Sequence, residues 1–333
     1  MKKTVAVIAL IVIALVGSSQ WYFSNSQAPY LGTPEMLVLG YAPTEAAGLV
    51  YIAEAQGFFA ANGVVIVHRP YDTGATAIQA LLNNEVDIAG VSEVPFVNAV
   101  FQQKPVSMYA TLAKVQYAYL IGRKDRGIQT PADLRGKKIG LPRQTMAEFY
   151  LGRFLELQGL KIQDVTLVET APPAAMDALN GGTVDGVVVW NPFAHQLRQQ
   201  WAEQGTFFQV QSGQAAYAAS VARNDWIAAH SELLKRSLIA IVQAEQFTIN
   251  RPAEAKAIVQ KRMNYDAAFM DSVWSENQYA LALDRSLIAA MEDEARWLIA
   301  NNLTAEKRVP DFTDYVYVDA LKAVKPGAVN IIR

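Results

Sequence analysis

The side chains able to do chemistry in this chain are hydroxyls, amides and carboxylates. Among 333 residues there is no Cys, which removes thiol nucleophiles, disulfides, Cys-ligated zinc and iron–sulfur clusters together. The three His, His68, His195 and His230, lie far apart in sequence, and a three-His metal site would need all of them. No nucleophile-elbow G-x-S-x-G, no P-loop and no H-E-x-x-H motif occurs. A carboxylate acid/base pair stays open, because Asp and Glu occur throughout. The remaining candidates gather where apolar runs give way to helical patterns. They are Tyr41, Pro43 and Thr44; Asp72, Thr73 and Gly74; Ser92 and Glu93; Gln144 and Thr145; and Trp190 and Asn191. In an open α/β sheet such strand-to-helix turns border the crevice where helix N-termini meet a ligand. Hydroxyls, amides, exposed backbone N–H groups and two aromatics can hold an anionic head group by dipoles and hydrogen bonds alone. No cofactor and no metal is called for.

Each candidate also has a plainer role. Thr44, Thr73, Ser92, Thr145 and Asn191 are residue types that cap helices whether or not a ligand exists. Trp190 is either core or a wall of the crevice. Glu93 either complements the dipole of its helix or holds an amine on the ligand. Asp87 and Asp185 precede apolar strands and read as structural turn residues.

An internal repeat supplies the elements that would position these groups. In the first copy, MLVLGY (36–41) has strand character, and Leu49, Ile52, Ala53 and Gln56 share one helical face, stopped by Gly57. VVIV (64–67) is a second strand, ATAIQALLNNEVD (75–87) a helix running into a third strand, IAGV, and Pro95-Phe96 opens the next helix. In the second copy the same order is KKIGL (137–141), a helix with Met146, Tyr150, Phe154 and Leu157 on one stripe, DVTLVE (164–169), PAAMDALNGGTVD (173–185), VVVW and Pro192-Phe193. The two long helical segments match at Ala, Ala, Leu, Val and Asp with a constant offset of 98. Two βαβαβ units predict two similar α/β lobes. The chain is expected to cross between them near 118–123 and 217–222, two strands making a hinge. The expected division is 36–117 plus 222–333 for lobe one and 118–221, with the hinge strands, for lobe two. Beyond 222 the pattern reads as all helix, roughly 224–250, 252–261, 266–278 and 284–301, packing back on lobe one.

Hydrophobic residues make up 52% and charged residues 18%, the composition of a globular chain with a large core. Net charge is −2, and no Lys/Arg run of five or more supplies a nucleic-acid footprint. Lys2 and Lys3, an apolar run from Val5 to Val16, and Gly17, Ser18 and Ser19 read as an export signal within 1–23. Trp21, Tyr22 and Phe23 could extend that run to a membrane anchor, and cleavage and anchoring stay open. A polar linker, 24–35, follows.

The stretches GYAPTEAAGLVYIAEAQGFFAANGVVIV, ALLNNEVDIAGVSEVPF, DLRGKKIGLPRQTMAEFYLGRFLELQGL and VDGVVVWNPF resemble the nitrate/sulfonate/taurine family of ABC-transporter binding proteins, whose fold is shared with the thiamine-precursor (NMT1/THI5-like) binders. The C-terminal WSENQYALALDRSLIAAMEDEARWLIANNL and VPDFTDYVYVDALKAVKPGAVNII are similar to that family's closing region. The resemblance covers about 36–333. It implies a type II periplasmic-binding-protein fold, a ligand between two lobes, and an ABC permease with its cytoplasmic ATPase as partner; the protein is expected to be a monomer. It places ligand contacts at Thr44, Thr73-Gly74, Ser92, Gln144-Thr145 and Trp190-Asn191. Many relatives carry a small Ser/Gly pair where this chain has Gln144-Thr145. With Glu93 added, that departure points to a zwitterion such as taurine or to an amino-pyrimidine. The yeast-type pyrimidine synthases of this fold use a Cys cluster that this chain lacks. An exported or anchored ligand sensor, or an enzyme acting on a small cyclic or carboxylated metabolite, is the alternative.

Overall fold

The apolar run at 36–41 becomes the hub of a sheet, because both its neighbours in space are strands of its own repeat. The structure, a computed structural model, describes residues 30–116, 118–211 and 213–331. The expected export segment and linker residues 24–29 lie outside these. The described strands are β1 (Glu35–Tyr41), β2 (Val64–Pro70), β3 (Ile88–Val91), β4 (Val106–Val115), β5 (Ala118–Arg123), β6 (Lys138–Leu141), β7 (Thr166–Glu169), β8 (Gly186–Trp190), β9 (Gly205–Gln209), β10 (Ala216–Arg223) and β11 (Asn277–Ala282). They form a six-stranded sheet in the order β11-β4-β10-β3-β1-β2 and a five-stranded sheet in the order β7-β6-β8-β5-β9. In each sheet the first strand of a repeat lies between the second and third, all parallel, and a strand from elsewhere closes antiparallel on the third. This is a two-lobed mixed α/β architecture, as the repeat predicts.

The offset of 98 has a physical cause. Asp87 Oδ2 accepts the amide of Val38 in β1 at 2.8 Å, and Asp185 Oδ2 accepts the amide of Lys138 in β6 at 2.9 Å. Each Asp also donates its own amide to the carbonyl of the same residue. The pair therefore locks the third strand of each repeat to the first, as turn residues rather than ligand groups.

Two expectations need correction. The region beyond 222 is expected to be all helix, with one helix ending at 278 and the next starting at 284, but residues 277–282 form β11, pairing Asn277 with Val115 and Ala282 with Thr111 of β4. Ala and Leu in this stretch favour a helix locally, while the unpaired edge of β4 offers a ladder, and tertiary pairing wins. The return crossing also falls earlier than 217–222. All of β10 belongs to the six-stranded sheet, so the change of sheet falls between the end of β4 at Val115 and the start of β5 at Ala118, and again between the end of β9 at Gln209 and the start of β10 at Ala216.

The helix Ser231–Asn250 packs on Gly48–Ala55 and Asp319–Val324, beside the six-stranded sheet. The helix Arg285–Ala300 does more than was expected of it. It packs on Glu93–Phe101 and also reaches the Met146–Leu157 helix of the other lobe, where Trp297 meets Phe149 edge-on at 5.5 Å and donates Nε1–H to Glu156 at 2.9 Å.

Candidate ligand-binding cleft

Three α-helices begin at one cleft between the sheets. Gly74–Leu82 follows β2, Glu93–Phe101 follows β3 and Met146–Leu157 follows β6. Their starts, at Gly74, Ser92 and Thr145, all line a space of about 750 Å³ that is partly open to solvent. The positive dipole ends of three helices therefore meet at one region. Gly74 permits this approach, since a β-carbon there would lie 3.1 Å from Val91 Cα. The floor is built from the six-stranded sheet, including Leu39, Leu112 and Ser220, and the opposite wall from Thr145, Met146 and Trp190.

The hydroxyls have different obligations. Thr145 Oγ1 donates to the carbonyl of Pro142 at 2.7 Å and accepts from the amide of Ala147 at 3.2 Å, so it caps its helix. Thr73 forms a capping box with Thr76. Ser92 and Thr44 occupy cap positions without a side-chain capping bond, which leaves their hydroxyls available to the cleft.

Of the residues singled out from sequence, Tyr41, Thr44, Gly74, Ser92, Thr145 and Trp190 line the cleft. Trp190 ends β8 and is both buried and a cleft wall, so its two readings coexist. Thr73 stands behind Gly74 as its cap. Gln144 has a left-handed backbone (φ 59°) and faces a different, outer depression with Arg143 and Glu148. Asn191 does not cap a helix, since Pro192 precedes Phe193–Gln200 at that position. Its amide instead reaches across the lobes to Glu45 Oε1 at 3.2 Å.

Glu93 does not line the cleft. It is wholly buried beneath Ser92, and neither carboxyl oxygen makes a hydrogen bond. Burial pushes its carboxyl up to about 8, although the amides of Tyr217 and Glu93 itself pull the other way from outside bonding geometry. Its neighbour is Glu294 of the Arg285–Ala300 helix, also buried and unbonded, which burial and then the Glu93 charge push well up. A group so enclosed cannot hold a ligand's amine.

Glu45 is the residue that sequence reasoning passed over. It lies between Thr44 and Ala46, both on the cleft, yet its carboxylate turns away to accept from Tyr265 OH at 2.9 Å and from Asn191. Burial raises its pKa, and the bonds from its own backbone, Tyr265 and Asn191 oppose that. Tyr279 of β11 donates to the Glu45 carbonyl at 2.7 Å, so the unforeseen strand fixes this turn. The available signal was one acidic residue inside the apolar run TEAAGLVYIA. Among the described residues, no cluster of three or more His, Asp or Glu could hold a metal ion. Nor is any described helix long and apolar enough to cross a membrane.

The family model described as NMT1/THI5 like matches residues 44–255, most of both repeats. The chain belongs to the NMT1/THI5-like family. It is 29% identical over 203 residues to the taurine-binding periplasmic protein of Escherichia coli K12, an alignment covering 60% of this chain and 63% of that protein. The fold matches the alkanesulfonate-binding protein of Xanthomonas axonopodis pv. citri, bound to MOPS, with a TM-score of 0.72 at 17% identity, over 86% of this chain and 99% of that one. It also matches a desulfurization enzyme, TM-score 0.64 at 15% identity, over 87% of this chain and 99% of that one. The last match means that fold alone does not separate receptor from enzyme.

Proposed function

We propose that this protein is the extracytoplasmic solute-binding component of an ABC importer, and that it clasps a small organic ligand bearing an anionic head group between its lobes. The observation that carries this reading is the convergence of three α-helix N-termini, from both lobes, on one cleft where Ser92 and Thr44 keep their hydroxyls free. Helix N-termini bind oxyanions without a cationic side chain. The taurine-binding relative's role favours a receptor over an enzyme. The cleft offers no catalytic pair: no Asp, Glu, His, Lys or Arg is among its lining residues. A permease with its ATPase is the matching partner, and the basic-then-apolar start of the chain fits export.

The test is a thermal-shift screen with alkanesulfonates, taurine, nitrate, bicarbonate, small carboxylates and thiamine precursors. A ligand at a hundred times its Kd stabilises by about 2.7 kcal/mol, which a melting curve resolves. The reading predicts that at least one organic oxyanion raises Tm, is recovered unchanged, and alters Trp190 fluorescence. Turnover of such a ligand would favour the enzyme.

A further inference from the structure

The cleft combines a strong preference for negative charge at its helix ends with no carboxylate in its lining to balance a positive one. Its polar side-chain groups are the hydroxyls of Thr44, Ser92, Thr145, Ser220 and Tyr41 and the indole N–H of Trp190, all of them uncharged. Tyr217 turns its own hydroxyl out to Ser286 at 2.7 Å. The remaining wall is apolar, with Leu39, Val50, Leu112, Met146 and Trp190 supplying aliphatic and aromatic surface. Two carboxylates stand close in sequence to lining residues, and both are committed elsewhere. Glu45 is taken up by Tyr265 and Asn191, and Glu93 is sealed against the Arg285–Ala300 helix.

From this we infer that the ligand is an organic oxyanion whose tail is uncharged and apolar, and that the cleft discriminates against ω-amino analogues such as taurine. This rests on the receptor reading above. An ammonium group placed among these walls would lose its hydration without a counter-charge, an expensive transfer that a methyl group avoids. The helix dipoles that attract the head group would also repel the cation. Apolar tail atoms, by contrast, gain with every methylene removed from water. The chain therefore departs from its taurine-binding relative in ligand class while keeping the family's fold.

Isosteric pairs isolate the one atom group at issue. Propane-1-sulfonate replaces the ammonium of taurine by a methyl group, and butanoate does the same for β-alanine. Calorimetric titration of the full chain with these four compounds, and with pentane-1-sulfonate as a longer tail, tests the inference. It predicts that at least one methyl compound binds ten times or more tighter than its amino partner, and pentane-1-sulfonate tighter than propane-1-sulfonate. Taurine binding as tightly as propane-1-sulfonate would overturn the inference and leave the receptor reading standing. If none of the five binds, this inference is overturned, while the receptor reading stands or falls on the broader thermal-shift screen.

Discussion

Ser92 and Thr145 start helices in opposite lobes and face the same cleft, but only Thr145 is spent on its own helix. Their alanine variants should therefore fail differently. Ser92→Ala removes a hydroxyl with no capping bond, so affinity should fall several-fold to about a hundredfold, the range of a net hydrogen bond to a charged ligand, with Tm unchanged. Thr145→Ala should cost about 1 kcal/mol of stability through the lost cap, visible in the ligand-free protein. Equal melting of the two variants would contradict this division of labour. The buried pair Glu93 and Glu294 sets a pH dependence. The carboxyl of Glu93 is raised from the ordinary 4.5 to about 8, so the folded state holds a proton that the unfolded chain releases. Its stabilising effect is complete below about pH 4.5 and is lost as pH rises through about 8. Glu294, raised too and flanked by Asp293, and Glu45 act in the same direction. Melting temperature should thus decline between about pH 5 and pH 9, and Glu93→Gln, neutral throughout, should decline less and melt higher at the alkaline end. At this scale the sequence was half legible. Cap-type residues at strand ends marked the cleft because the repeat located the strand ends. Whether Glu93 faced the ligand or the core depended on the Arg285–Ala300 helix, almost 200 positions away, which no local pattern reveals.

Among the elements, the repeat was readable because each copy must bury both faces of a parallel sheet, and apolar runs with fixed punctuation follow from that. β11 was not readable, since its Ala/Leu content suits a helix and only the free edge of β4 makes it a strand. That strand matters to the site through Tyr279 and the Glu45 turn. The Arg285–Ala300 helix is likewise more than a cover for one lobe. Its Trp297 occupies the space over Gly152, where a β-carbon would lie 1.9 Å from the indole. Gly152→Ala should force the two helices apart and, because Met146–Leu157 carries the Thr145 end of the cleft, weaken ligand binding at least tenfold. Recovery of affinity in Gly152→Ala with Trp297→Leu would show that the fault is steric. Failure of that second change to help, with both proteins folded, would place the effect elsewhere.

The described residues form two sheets, with the change of sheet between β4 and β5 and again between β9 and β10, and further contacts hold the lobes together around the cleft. Asn191 meets Glu45, Tyr119 OH donates to Glu276 at 2.9 Å, and the His195 ring stacks on Phe269 with centroids 3.5 Å apart. These pairs link the five-stranded lobe to segments beside the six-stranded one. We propose that the crossings act as a hinge, so that the division expected from sequence, shifted to place β10 with the first lobe, is also the division that moves. A ligand that touches both helix Ser92 and helix Thr145 ends binds the closed arrangement selectively and shifts the balance toward it. The central claim is a clamp that closes on its ligand, and small-angle X-ray scattering of the full chain tests it most directly. It should be recorded without ligand and with saturating propane-1-sulfonate, or with whichever oxyanion raises Tm most. The radius of gyration should fall on binding in the wild type, and should fall less in Gly152→Ala. An identical scattering profile with the ligand demonstrably bound would contradict the clamp.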